Sequence, residues 1–188
     1  VTSLDRSWFA RDAPVVASEL LNKLLVVESG GVVCSGRISE TEAYMPDDPA
    51  SHTFRGPTPR NQVMFGPAGH LYVYLSYGIH QCANVVTGAE GSGQAVLLRA
   101  VQPVDGIDAM RVRRGAVADR DLTNGPGKVG QAFGIDLSHN GADLTQPDSS
   151  LRMCDDGVPP PEHPLVGRRV GISKGVDTPW RFRLSLQR

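Results

Sequence analysis

The chain reads as an α+β fold in one domain, residues 1–188: a mainly antiparallel, curved β-sheet with surrounding helices and one protruding β-hairpin. Three observations predict it. Segments rich in Val, Leu, Ile and Tyr recur along the chain, and short Gly- or Pro-bearing turns, rather than helical crossovers, join them. A length of 188 residues with 40% hydrophobic content suffices for a single core, and 21 glycines and 14 prolines punctuate it without any internal repeat.

The first element expected is a helix over Pro14–Leu25. Asp12 stands at a capping position, Pro14 suits the first turn, and Val16, Leu20, Leu21, Leu24 and Leu25 form one apolar stripe. Strands follow over Val32–Tyr44, His70–Leu75, Gln81–Thr87 and Ala95–Val101. Helices are expected over Gly106–Arg114 and Pro126–Phe133. Five prolines and few apolar residues make Gln146–Pro164 a surface loop, and a last strand, Trp180–Leu186, closes the fold.

Composition excludes several classes of function. The longest apolar stretches, such as Leu71–Leu75, are far too short to cross a bilayer, and the first residues lack the pattern of a signal peptide. The chain therefore reads as soluble, monomeric and cytoplasmic. Cys34, Cys82 and Cys154 are an odd, widely spaced set without a CxxC pair, so they read as small buried apolar groups in a reducing compartment. The five histidines form no HExxH or deaminase signature, so neither metal nor cofactor is expected. A net charge of −1 argues against a broad basic surface. Charge is nevertheless segregated, because Leu165–Arg188 carries six positive residues and one negative, which gives a local basic face for phosphates.

The chemistry-bearing residues cluster. In the strand ending RISETEAY, alternation puts Ile38, Glu40, Glu42 and Tyr44 on one face. Glu42 is either a structural ion-pair partner or, with Tyr44 beside it, a general base. Arg99 stands in AVLLRAV among six apolar residues, where a guanidinium needs a carboxylate partner, and Glu42 is the candidate. All four tyrosines lie between Tyr44 and Tyr77. LYVYLSYGIHQCANVV has the form of a hairpin in which Tyr72 and Tyr74 share a face while Tyr77 and Gly78 occupy the turn. An aromatic ring at such a tip suits insertion between base pairs. Asn-Gly-Pro before Gly127 and Lys128 opens a helix, which is either an ordinary start or a phosphate contact through Lys128. Arg111, Arg113 and Arg114 read as a solvated helix face. The chain has only Lys23, Lys128 and Lys174, none of them expected in the aromatic and acidic cluster, so an amine nucleophile and a strand-cleaving step are not expected.

Taken together, ETEAY, SHTFRGPTPRNQVMFGPAGHLYVYLSYGIHQCANVV, AVLLRAVQP and NGPGKVGQAFGI resemble the alkyladenine (3-methyladenine) DNA glycosylase family, in order and over most of the chain. The resemblance implies a monofunctional enzyme that flips alkylated or deaminated purines out of double-stranded DNA and hydrolyses the N-glycosidic bond. It implies that Glu42 activates the attacking water and that Arg99 helps to hold it. Tyr44 and His52 then line one side of a base pocket, Tyr74 the other, and Asn84 screens exocyclic groups. Tyr77 is the wedge that fills the vacated position. His80 departs from the family, standing where vertebrate members carry an aromatic residue. A catalytically silent damaged-DNA or RNA binding module on the same fold is the alternative.

Overall fold

The computed structural model describes residues 1–185. A short strand β1 (Thr2–Ser3) and two helices, α1 (Arg6–Phe9) and α2 (Ala13–Glu19), precede β2 (Leu24–Ser29) and the long β3 (Val32–Tyr44). After a long loop come the hairpin β4 (Leu71–Ser76) and β5 (His80–Thr87), then β6 (Gln94–Asp105). Helices α3 (Ile107–Arg114) and α4 (Pro126–Phe133) follow, and β7 (Leu151–Asp155), β8 (Leu165–Gly167) and β9 (Arg181–Arg183) complete the described fold. Strand order is β1-β7-β2-β3-β6-β5-β4, with β9 joined to β3 and β8, and every pairing among the described residues is antiparallel. The α+β expectation holds, as a curled sheet with helices packed on it. No helix of the described residues is long and apolar enough to cross a membrane.

Strand β3 organises the molecule. Its first half pairs with β2 and Ser35–Tyr44 with β6, and where β2 ends β9 takes over the free edge at Glu40–Glu42. The β3–β6 register shifts around Ser35 and again on both sides of Glu40. Such bulges bend a strand and re-aim its side chains. Ile38 and Ala43, five positions apart, consequently both enter the main core. The predicted common face of Ile38 with Glu42 is therefore wrong; unbroken alternation was assumed across a bulged strand.

The first helix is shorter than its apolar stripe suggested. Asn22 adopts a left-handed conformation at φ 71°, which ends the turn after α2, and Leu24 and Leu25 pair with Arg37 and Gly36 as part of β2. Asp12 occupies the N-cap position without a side-chain capping bond, its carboxylate accepting instead from Gln94 Nε2. Gln146–Pro164 is not a continuous loop. Leu151–Asp155 forms β7 against β1 and β2, burying Leu151, Met153 and Cys154, because the prolines flank this stretch without interrupting it. The closing strand is confined to Arg181–Arg183, and Leu186, where it was expected to end, lies outside the described residues.

Helix α2 covers β3 and β6, where Thr41 Oγ1 donates to the Ala17 carbonyl at 2.7 Å. Helix α4 lies against β5 so closely that a Cβ added at Gly130 would stand 2.2 Å from the Gln81 carbonyl oxygen, and one at Gly127 would meet His80. Of the three glycines of NGPGKVG, Gly127 and Gly130 thus form a packing face, whereas Gly125 has only ordinary contact with the Lys128 side chain. All three cysteines are buried and free.

Candidate active site

Strand registers align Tyr72, Asn84, Leu97 and Glu42 in one row across β4, β5, β6 and β3. With a side-chain period of two, Tyr74, Cys82, Arg99 and Tyr44 flank that row on the same face. The result is a cavity of about 500 Å³, walled by this face, by the loop after β3 and by the segment after β8. Tyr44, His52, Tyr74, Tyr77, Asn84 and Arg99 all line it. The structure thus brings together most of the side chains singled out in the sequence. Lys128 is the exception: its ammonium bonds Asn124 Oδ1 at 2.7 Å beside Asp121, away from the cavity lining.

Glu42 lies beneath the floor with its side chain 0% exposed. Its Oε2 accepts from the Tyr44 hydroxyl at 2.9 Å and from Arg99 Nη1 at 3.4 Å, and its Oε1 from the Val170 backbone N–H at 2.7 Å. Three donors on a buried carboxylate offset its desolvation and aim it. Arg99 is indeed paired, but its shorter bond runs from Nε to Glu40 Oε1 at 2.8 Å, and Arg181 Nε reaches the same oxygen at 2.7 Å. Burial works to raise the Glu40 carboxyl, yet hydrogen bonds and charge from Arg181 and Arg99 outweigh it and hold Glu40 below the ordinary carboxylate range. Burial likewise works against the Arg99 charge, but Glu42 and Glu40 overcompensate and raise its pKa.

Tyr72 and Tyr74 stack with centroids 5.7 Å apart. His52 meets Tyr74 edge-on at 4.5 Å, and its Nδ1 lies 3.0 Å from the Tyr72 hydroxyl. A planar base with van der Waals contact on both faces needs about 7 Å between rings. None fits between His52 and Tyr74. The expectation that His52 shares a wall with Tyr44, opposite Tyr74, is therefore corrected: His52 and Tyr74 form one wall. Burial pushes the Tyr44 phenol up, reinforced by the Glu42 charge, and pushes up Tyr74 and Tyr72 as well. His52 is exposed as a residue, yet desolvation by its neighbours, then the Arg60 charge, lowers its pKa. All four rings therefore hold their neutral forms near pH 7.

The β4–β5 turn closes with the Ile79 N–H donating to the Ser76 carbonyl at 3.1 Å, and φ is positive at both Tyr77 (50°) and Gly78 (73°), as hairpin turns of the primed type require. Glycine tolerates this hand; a tyrosine rarely adopts it. The Tyr77 ring is 87% exposed. His80 follows it, exposed at the start of β5.

Several residues of the site carried no usable sequence signal. Asn61 donates to the carbonyls of His52 and Gly56 and fixes the loop that presents His52. Glu40, Val170 and the Asp48–Arg169 ion pair shape the floor. Arg169 and Arg181 are spent on Asp48 and Glu40, so the positive C-terminal stretch is less of a basic face than its count suggested. Lys174, thought remote, lines the cavity because the segment after β8 folds back over it. Arg113 and Arg114 are half-buried and tie α3 to neighbouring carbonyls, leaving only Arg111 as a solvated cation.

Comparison with known proteins now defines the class: the protein is a DNA glycosylase, a DNA-binding hydrolase of N-glycosidic bonds that acts in DNA repair. The model of the methylpurine-DNA glycosylase (MPG) family matches residues 7–188, and the chain belongs to that family. Relatives named "Putative 3-methyladenine DNA glycosylase" include one from Carboxydothermus hydrogenoformans, 50% identical over 182 residues that cover 96% of this chain and 94% of the relative. One from Methanoculleus marisnigri is 49% identical over 185 residues (97% and 95%), and one from Agrobacterium fabrum is 51% identical over 182 residues (95% and 87%).

Proposed function

We propose that this glycosylase removes alkylated and deaminated purines, 3-methyladenine among them, from double-stranded DNA by flipping the damaged nucleotide into the aromatic cavity. Tyr77 enters the duplex from the minor groove and fills the vacated position, offsetting the few kcal/mol lost on unstacking. The base rests between Tyr44 and the wall of Tyr74 and His52, with Asn84 screening its exocyclic groups. Glu42 aligns a water and takes its proton while Arg99 steadies the carboxylate. The water oxygen bonds to C1′, and the C1′–N bond breaks with its electron pair leaving on the purine. A purine already cationic through alkylation departs neutral without acid help.

The observation that carries this reading is the Glu42 carboxylate, wholly buried and held by three donors just beneath the floor of a tyrosine-lined cavity. Glu42→Gln keeps the shape and removes the charge. With oligonucleotides carrying single defined lesions and free base scored by chromatography, it should lower 3-methyladenine release by about 10²–10⁴-fold, the usual worth of a general base, while binding of a damaged duplex persists. Undiminished release rejects the assignment. Because Lys174 lines the cavity, borohydride trapping belongs beside that assay: water attack leaves no enzyme–DNA adduct, and an adduct would mean an amine nucleophile instead.

A further inference from the structure

The ionic pair most completely withdrawn from water does not touch the proposed reaction. Asp48, on the loop after β3, and Arg169, two residues beyond β8, pair in a fork with side chains 1% and 0% exposed. Arg169 Nη1 bonds Asp48 Oδ2 and also the Ala43 carbonyl at 3.0 Å, while Nη2 bonds Asp48 Oδ1 at 3.0 Å and the Gly175 carbonyl at 3.1 Å. The guanidinium lies 4.7 Å from the Tyr44 ring centroid and 5.4 Å from that of Trp180. Gly175, at φ 58°, closes over the pair: a Cβ there would stand 2.6 Å from Asp48 Oδ1.

Fold stability is a poor reason for this arrangement. Desolvating two ions offsets most of their attraction, and apolar residues of similar volume commonly serve stability as well or better. Arg169 Nε, moreover, is buried without an acceptor among the described residues, which adds a further cost. Position supplies the reason. Of the three donors on Glu42, one is the hydroxyl of Tyr44, whose ring the guanidinium covers, and another is the N–H of Val170, the next residue along the chain.

We infer that the Asp48–Arg169 pair is a positioning device for the Glu42 carboxylate, locking the segment after β8 onto the end of β3 so that the Tyr44 hydroxyl and the Val170 N–H stay on it. This rests on the reading of Glu42 as the group that aligns water. Arg169 and Asp48 touch neither DNA nor water in the reaction; they act through Tyr44 and Val170. Misplacing a reactive group by about 1 Å costs on the order of 10²-fold in rate, so losing the clamp shows in the chemical step before it shows in binding.

The test uses Arg169→Lys and Asp48→Asn in the full-length protein, with Gly175→Ala as a milder probe that keeps every charge. Single-turnover release of 3-methyladenine under excess enzyme is measured beside the Kd for a duplex containing a stable abasic analogue and beside a thermal melt. The expected result is release slowed about 10- to 100-fold with Kd within about twofold of the parent. Combined with Tyr44→Phe, Arg169→Lys should give less than the product of the single losses, since both act through one hydroxyl. Wild-type release per folded molecule, equal losses in binding and release, or fully multiplicative losses would overturn the clamp. If Arg169→Lys fails to fold, Gly175→Ala decides by the same criteria. Glu42→Gln run in parallel separates the two ideas: full activity there removes the reading of Glu42, whereas a silent Glu42→Gln beside a normal Arg169→Lys removes only the positioning role.

Discussion

Replacing Tyr77 by Ala separates insertion from chemistry. The ring is 87% exposed, so truncation forfeits almost no burial, and Ala at the same φ of 50° inherits the same backbone strain. Stability should stay within about 0.5 kcal/mol of the parent, as at other exposed positions. On duplex DNA the ring is expected to replace a stacked base. Stacking of a base on an aromatic side chain is worth about 1–3 kcal/mol, which at 1.4 kcal/mol per tenfold is roughly 5- to 150-fold. The assay is single-turnover base release from one lesion placed in a duplex and in the same strand unpaired. The duplex rate should fall by that factor, and the single-strand rate should hold, because nothing needs to be displaced there. Equal losses on both substrates, or an unchanged duplex rate, refute the wedge.

Three further outcomes follow from the geometry. Arg99→Lys leaves one ammonium where a fork reaches Glu40 through Nε and Glu42 through Nη1; a charge-assisted bond of about 1.5–3 kcal/mol is lost, and release should slow by roughly 10- to 150-fold, a loss below threefold contradicting the shared role. His52 has its folded-state pKa lowered from 6.5, so the unfolded chain takes up its proton first and stability falls as pH drops below about 6.5; melts between pH 7.5 and 5.5 should decline less steeply for His52→Gln than for the parent, and parallel curves would negate the claim. Gly130→Ala drives a methyl into the Gln81 carbonyl, 2.2 Å from the ideal Cβ, and should destabilise by about 1–3 kcal/mol in urea, with an unchanged midpoint counting against close packing of α4 on β5.

Much of this site was legible because it is built on strands. Alternation within ETEAY and LYVYLSY paired Glu42 with Tyr44 and Tyr72 with Tyr74, and the structure keeps both pairs on one face. A guanidinium among apolar residues announced that Arg99 had a carboxylate partner, though not that Glu40 would hold it more closely than Glu42. What failed has identifiable causes. Alternation carries no warning of a bulge, so Ile38 was assigned to the wrong face. Proline count hid β7, and an apolar stripe ran across the left-handed Asn22 that ends the helical turn. Long-range closure left no local mark at all: Asp48 and Arg169 lie 121 residues apart, Val170 and Glu42 lie 128 apart, and an Arg-Arg pair in a basic stretch gives no sign that one member is fully buried.

The protonation states of the cavity bear on which lesions it can release. Desolvation keeps the phenols of Tyr44, Tyr72 and Tyr74 and the thiol of Cys82 from ionising, and keeps His52 from taking a proton. Arg99 lies between two carboxylates, and Glu40 between two guanidinium groups, so the charged groups under the cavity alternate in sign, and the proposed mechanism uses Glu42 among them. Such a lining offers little acid to a departing purine: raised phenols are poor proton donors, and a neutral imidazole has no proton to spare at pH 7. A base that alkylation has already made cationic does not require one. Ordinary adenine and guanine do, and under the proposed mechanism they stay attached even when they enter the slot. Under that mechanism the same shortage should slow neutral lesions such as hypoxanthine, whose leaving group must draw its proton from water. On this proposal selectivity draws on the charge the damage itself supplies as well as on the shape of the walls, and a site without a strong acid then suits an enzyme surrounded by undamaged purines.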